Sequence, residues 1–246
     1  HTSSTTIADD VVVSSSGDIF IIGAFRDSIQ FGSLCSYTTT SIHNPGPAVI
    51  FIAKFDTYGG CVWLNIVKDN LDLEGFGSGS LALNEFSIVL DSNQNVIFST
   101  FSDTEFTASF GSIELTIPAN SHVIAKLDQN GTWQWAKNAG SYTYDSSHSI
   151  DVDNNGDIWI AKEVSYGGLV QKYDSTGELQ FQEEITRTSN SNGVVRLNEI
   201  SIDDMGNLYV AGSYTQSLNI VINGISEIYS AYSSWDIFVA KLDFNG

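Results

Sequence analysis

The stretch Asp151-Val-Asp153-Asn-Asn155-Gly-Asp157 sets carboxylate and amide side chains at alternate positions around a glycine. This is the spacing at which the first half of an EF-hand loop offers oxygen ligands to Ca²⁺. The position where such a loop needs a bidentate Glu is Lys162. A sister stretch, Ile200-Ser-Ile-Asp-Asp-Met-Gly206, carries Ser201 and Met205 where ligands would stand. A hairpin turn is therefore the expected reading. Ca²⁺ on Asp151, Asp153, Asn155 and Asp157 is its rival, and no other cofactor is expected.

The lysines are more regular. Four of the seven, Lys54, Lys126, Lys172 and Lys241, stand two residues before an aspartate: Asp56, Asp128, Asp174 and Asp243. Residues i and i+2 share one face of a strand. Each lysine is thus expected to reach its own aspartate or the carbonyls of a neighbouring unit. A group present in every unit serves the unit, whereas a catalytic group breaks the repetition, so these pairs read as structural.

Trp63, Trp135 and Phe181 each lie seven residues after the turn aspartate, and Phe20, Trp159 and Tyr209 are equivalent in another strand. Both sets read as packing anchors. Trp235 stands outside the pattern as an anchor of its loop or an exposed platform for a ligand. The two cysteines are too few for a zinc site. Cys61 falls where other units carry Trp133 and Leu179, a core position, and a Cys35–Cys61 disulfide is open to it in an oxidising compartment. His1, His43, His122 and His148 show no common spacing, and His148 between Asp145 and Asp151 is the most suggestive of them. Asn130-Gly-Thr132 is a glycosylation sequon on a turn. No phosphate-binding glycine loop, nucleophile elbow or zinc signature is present.

The elements that position these residues come in repeats. Val11–Phe20, Ile88–Ile97, Ile150–Trp159 and Ile200–Tyr209 are copies of one segment; Ala53–Gly59, Ala125–Gly131, Gln171–Gly177 and Ala240–Gly246 are copies of another. The two kinds alternate, four times each. Every copy is a β-rich run broken by Asp-x-x-Gly or a near variant, in which Asp accepts backbone N–H groups and Gly supplies the positive φ of the turn. The repeat is therefore two consecutive hairpins, or four antiparallel strands, over the approximate spans 7–68, 84–138, 148–186 and 198–246. Long inserts (27–47, 103–121, 214–235) separate the second and third strands, and only 164–168 is short; Phe31-Gly-Ser33 and Phe110-Gly-Ser112 predict an extra hairpin in two of them. The glycine-rich stretch 68–80 reads as loop, and no helix is expected.

Four-stranded units in tandem without helices predict an all-β fold, a β-propeller of about four blades. The segments Asp203-Asp-Met-Gly-Asn-Leu-Tyr-Val-Ala-Gly212 and Asp236-Ile-Phe-Val-Ala-Lys-Leu-Asp-Phe-Asn-Gly246 carry a specific likeness. With Val123–Trp135 they resemble the seven-bladed β-propeller repeat (SBBP-type) family of secreted and surface prokaryotic proteins. The resemblance implies that fold and a secreted or surface setting, and no shared catalytic residues. The last unit reaches only its turn at Gly246, so its blade is expected to be incomplete, with an open edge inviting further blades or self-association.

Composition narrows the partners. Ten basic against 29 acidic residues give a formal charge of −19, and only 16% of residues are charged. Ser, Thr and Asn number 33, 17 and 18 and replace the missing charge on the surface. Such a chain repels phosphate backbones and anionic lipid, which argues against nucleic acid as a partner. The longest strictly apolar run, Ala48–Ala53, has six residues, far below the roughly 20 of a membrane-spanning helix. The expected function is a non-enzymatic extracellular or cell-surface scaffold or interaction module, as part of an adhesin or surface assembly, with protein or glycan partners. A carbohydrate-binding lectin is the alternative, and a glycan-active hydrolase or lyase the next.

Overall fold

The computed structural model describes residues 6–39, 49–69, 86–102, 104–141, 148–164, 167–186, 193–222, 225–230 and 234–242. All regular structure among them is antiparallel β. The first repeat supplies β1 (Thr6–Val13), β2 (Ile19–Phe25), a small hairpin of β3 (Ser28–Phe31) and β4 (Cys35–Thr38), then β5 (Val49–Phe55) and β6 (Cys61–Asp69). The second supplies β7 (Ser87–Leu90), β8 (Val96–Ser102), the insert hairpin β9 (Phe106–Phe110) and β10 (Ile113–Ile117), then β11 (Ser121–Leu127) and β12 (Trp133–Ser141). The third has β13 (His148–Val152), β14 (Ile158–Val164), β15 (Gly167–Tyr173) and β16 (Leu179–Thr186). The fourth has β17 (Val195–Ile202), β18 (Leu208–Tyr214), the insert hairpin β19 (Ser217–Ile222) and β20 (Ile225–Ser230), and β21 (Asp236–Leu242).

The chain divides into two compact units, His1–Ser141 and Tyr142–Gly246. In the first, β1-β2-β5-β6 and β7-β8-β11-β12 are four-stranded meanders, and the hairpin β9–β10 extends the outer edge of β6. The second repeats the plan with β13-β14-β15-β16, extended by β19–β20 on the edge of β16, beside the three-stranded β17-β18-β21. An insert hairpin thus closes the outer edge of the preceding repeat, which shields N–H and C=O groups that would otherwise be left open. The hairpin β19–β20 carries no Phe-Gly-Ser signal and was not expected. In the opposite direction, Lys68 and Asp69 belong to β6, where loop was expected. Residues 70–80 lie outside the described residues.

Each turn is built as its sequence demands. Gly59, Gly131, Gly177 and Gly206 donate their N–H to the carbonyls of Asp56, Asp128, Asp174 and Asp203 at 2.9–3.0 Å. Asp56 Oδ1 also accepts the N–H groups of Tyr58 and Gly60, and Asp128, Asp174 and Asp203 repeat this pattern.

Inner-edge strands are bound by side chains. Asp9 and Asp10 of β1 accept the N–H groups of Phe86 (2.6 Å) and Ile88 (2.8 Å). Asp151 and Ser149 of β13 do the same for Ile202 (2.8 Å) and Ile200 (3.2 Å). These bonds satisfy strand-edge donors that no ladder reaches. Between the sheets of the first unit lies one core that includes Phe20, Ile50, Ile52, Phe98, Phe110 and Val123, all fully buried. In the second unit, Val170, Leu197, Leu208 and Val210 are the equivalent core.

Candidate functional site

The repeated lysine is the centre of a cross-strand row. In β5, Lys54 lies opposite Phe20 of β2 and opposite Trp63 of β6. Lys126 lies between Ile97 and Trp135, and Lys172 between Trp159 and Phe181. Directly opposed residues share a face, so the lysine stem is flanked on both sides, by two rings at Lys54 and Lys172 and by Ile97 and Trp135 at Lys126. Lys54 Nζ sits 5.2 Å from the Phe20 ring centre and Lys172 Nζ 5.1 Å from that of Trp159. Each fourth strand bulges at this point, so the aromatic opposite the lysine and the residue two before it face opposite sides of the sheet.

Three of the lysines, for which their own aspartate or a neighbouring unit's carbonyls were the expected partners, make ion pairs with a different aspartate. Lys54 bonds Asp18 (3.0 Å), Lys126 bonds Asp91 (2.9 Å), and Lys172 bonds Asp157 (2.8 Å) with Asp153 at 3.8 Å. All these acids belong to the neighbouring turn, between first and second strands. Asp56, Asp128 and Asp174 accept their own turn N–H groups through Oδ1. Asp243 lies outside the described residues. Burial works against the charge of Asp91, but the bonds from Lys126 and Asn95 outweigh it and hold the carboxyl below its ordinary value.

Those contacts also answer the Ca²⁺ rival. Asp153 Oδ1 takes the N–H groups of Asn155 and Asp157, and the Asp157 carboxylate holds Lys172. Asp151 points to the N–H groups of Val152 and Ile202. Burial pushes its carboxyl up, and nearby Glu199 and Asp153 add to this. The stretch is a hairpin turn in which the carboxylates of Asp151, Asp153 and Asp157 bond to backbone N–H groups or to Lys172. Among the described residues no group of three or more His, Cys, Asp or Glu is placed to hold a metal.

Cys35 and Cys61 form a disulfide, joining the tip of β4 to the start of β6. The staple holds β3–β4 over a face of the first sheet. Ile29, Phe31 and Tyr37 of the hairpin pack on Phe25, Phe51 and Phe55, with Phe31 5.6 Å from Phe51 and 5.1 Å from Phe55.

Two features escaped the sequence reading. Lys162 is fully buried on β14, opposite His148, where the equivalent residues of the sister strands are Gly23, Thr100 and Gly212. Its burial pulls the ammonium down to about 7. The signal in the sequence is a charged residue that breaks the repeat at a strand position where the sister units carry Gly or Thr. His122, by contrast, stacks against Phe101 at 5.0 Å. Asp145, His1 and His43 lie outside the described residues.

The second feature is exposure. Ile50 and Ile52 of β5 and Val170 of β15 are fully buried. Their equivalents on β21, Ile237 and Val239, are 85% and 73% exposed. Along the edge of β21 runs a groove of about 400 Å³, bounded by residues 237–241 of both faces of the strand and by Leu218, Ile220 and Tyr229 of the hairpin. Trp235 is nearly half exposed, and the Arg196 guanidinium lies 5.1 Å from its ring centre.

No protein-family model matches this chain, and no curated protein matches it. Among solved structures, a protein of unknown function from Bacteroides caccae is similar at 10% identity and a TM-score of 0.41, over 90% of this chain and 72% of that one. An unknown-function protein from Dyadobacter fermentans is similar at 10% identity and 0.45, over 94% and 69%. A catalytically inactive virginiamycin B lyase from Staphylococcus aureus, solved with quinupristin, is similar at 12% identity and 0.31, over 92% and 84%. Likenesses this distant assign no family, activity or ligand to the chain. No helix among the described residues is long and apolar enough to cross a membrane.

Proposed function

We propose that this chain is a non-enzymatic scaffold or interaction module built as β-propeller blades, working outside the cell or on its surface. The observation that carries this is the fate of the repeated charges. Lys54, Lys126 and Lys172 are consumed in ion pairs with turn aspartates, and the turn aspartates in backbone hydrogen bonds. The blade reading is supported by the meander of four strands, which recurs in the first three repeats, and by insert hairpins that lap onto the preceding sheet. The likeness to the seven-bladed propeller repeat family belongs to the same proposal. The Cys35–Cys61 disulfide suits an oxidising, extracellular setting. Variation is concentrated in the inserts, where a binding surface would diversify on a constant frame.

A lectin is the second reading, favoured by the half-exposed Trp235 ring braced by Arg196. A glycan array and a broad screen of glycosides and polysaccharides with the full chain test both. The scaffold reading expects no turnover and no glycan retained above background. A glycan retained by the native chain and lost on Trp235→Ala would move the assignment to lectin. Turnover abolished by mutating one non-repeating acid, such as Glu163 or Glu199, with the fold intact, would overturn it in favour of an enzyme.

A further inference from the structure

We propose that β21 takes up an extended polypeptide strand of apolar-x-aromatic pattern, added antiparallel along its free edge. The argument comes from the repeats themselves, and it does not rest on the scaffold reading. β5, β11 and β15 are each paired on both sides, to a second strand and to a fourth. β21 pairs only with β18 among the described residues. Yet its sequence, Ile237-Phe-Val-Ala-Lys-Leu242, follows that of β5, Ile50-Phe-Ile-Ala-Lys-Phe55, almost residue for residue. A continuous apolar run of this kind belongs to a strand covered on both faces.

The sister repeats define the occupant. Opposite each lysine the fourth strand places Trp63, Trp135 or Phe181, and one bulged step earlier, facing the other way, Cys61, Trp133 or Leu179. β21 presents the matching half of both contacts. On the exposed face Lys241 Nζ lies 5.7 Å from the Tyr209 ring centre, so one flank of the lysine row is in place and the flank beyond β21 is not. On the other face, the groove beside the hairpin β19–β20 corresponds to the seat of Trp133 in the second repeat. There the indole lies edge-on to Phe98 (6.1 Å) and Phe110 (5.1 Å), against the insert hairpin β9–β10. Gly111 leaves room for it, since a Cβ there would come within 2.8 Å of the indole. The groove at β21 sets Leu218, Ile220 and Tyr229 of the hairpin beside Phe238 and Ala240, so that a side chain seated there meets an insert hairpin as Trp133 does, and it runs on past the edge of the strand to Val239 and Lys241. Main-chain pairing would supply affinity and the two side-chain seats specificity, as in other strand-addition complexes.

The probe is a labelled decapeptide with the sequence of residues 132–141, Thr-Trp-Gln-Trp-Ala-Lys-Asn-Ala-Gly-Ser, titrated against the full chain by fluorescence anisotropy. Saturable binding with Kd below about 100 µM is expected. Peptides carrying Trp133→Ala or Trp135→Ala should each bind at least tenfold more weakly, and a scrambled peptide should not bind. On the protein, Val239→Asp alters an exposed residue and is expected to leave the fold intact while weakening binding tenfold. A second variant, Ala240→Trp, plugs the groove with an indole and should weaken it similarly. Equal binding of the scrambled peptide, equal binding to both protein variants, or no binding at millimolar peptide would overturn the proposal. So would a self-associated chain that Val239→Asp dissolves and the peptide does not, because the occupant would then be a second copy. None of these outcomes depends on the glycan array or the activity screen, so the two readings fail separately.

Discussion

β5 and β21 hold the same place in their repeats and nearly the same residues, yet their surroundings differ. In β5 both faces are buried: Ile50 and Ile52 against the core of the first unit, Phe51 and Ala53 beneath the β3–β4 hairpin. In β21 only one is covered, and Ile237 and Val239 face outward. The apolar run therefore records what kind of strand the chain encodes, while burial depends on what lies against it. The second sheet, through Phe98, Val123 and Ala125, is the cover that this face of β5 has and the equivalent face of β21 lacks.

The comparison can be broken most directly by trimming equivalent side chains. Ile52→Ala is expected to cost about 2–5 kcal/mol, from lost burial and the cavity left behind. Val239→Ala should change stability by no more than about 0.5 kcal/mol, as at other exposed sites. Urea denaturation followed by fluorescence measures both. Equal losses would mean that the face of β21 is covered after all.

The cover on the other face of β5 comes next. The Cys35–Cys61 bond closes a loop with a sequence separation of 26, so Cys35→Ser paired with Cys61→Ser should lower stability by about 3 kcal/mol. It should also loosen β3–β4 from Phe51 and Phe55 and raise binding of a hydrophobic dye. A double variant that denatures at the native urea midpoint would show that the hairpin stays on by packing alone.

Charge distinguishes the two units in opposite pH ranges. In the first, the folded value of Asp91 lies below its unfolded one, so the Lys126 pair stabilises the fold above the ordinary carboxylate range of about 3.9. That stability is lost as pH falls through the lower, folded value. Lys126→Ala should flatten this acid limb. In the second unit, Lys162 titrates near 7 when folded and about 10.4 when unfolded, so the unfolded chain holds the extra proton between those limits. Stability should therefore rise with pH across that window, and Lys162→Met should remove the rise while stabilising the chain at neutral pH. Denaturant midpoints measured from about pH 3 to 10 test both limbs. A Lys162→Met variant that keeps the alkaline rise would assign it to another group.

What the sequence made legible was local. Asp-x-x-Gly marks its own turn because the aspartate and the glycine act within five residues, and the strands follow from the runs between turns. The Phe-Gly-Ser inserts announced β3–β4 and β9–β10 for the same reason. The lysine partners were not legible, since the i, i+2 rule names a shared face but not which carboxylate the neighbouring strand brings within reach. The depth of Lys162, the disulfide and the bare face of β21 each depend on what distant segments lay against them. Of the residues proposed as a site, the Ca²⁺ stretch was legible as a turn, and the β21 edge only as the third strand of its repeat.

The smallest expected effect lies in the turn that departs from the rule. Between first and second strands, Gly17, Gly156 and Gly206 adopt φ of +88°, +83° and +81°, and at the same position the second repeat has Gln94 with φ +62°. A side chain in the left-handed region costs roughly 1–2 kcal/mol relative to the usual helical basin, and glycine escapes this at the expense of a more flexible unfolded chain. Gln94 brings a further cost, because its Oε1 is buried without a hydrogen-bond partner. Its N–H donates to the Asp91 carbonyl at 2.9 Å, a bond that glycine would keep. Gln94→Gly is therefore expected to stabilise the chain by about 1 kcal/mol, while Gly17→Gln, which would drive a Cβ to 2.9 Å from Thr57, should destabilise it by more. Thermal melts of the two variants against the native chain decide the matter. A destabilised Gln94→Gly would show that the side chain makes contacts worth more than the strain it sustains.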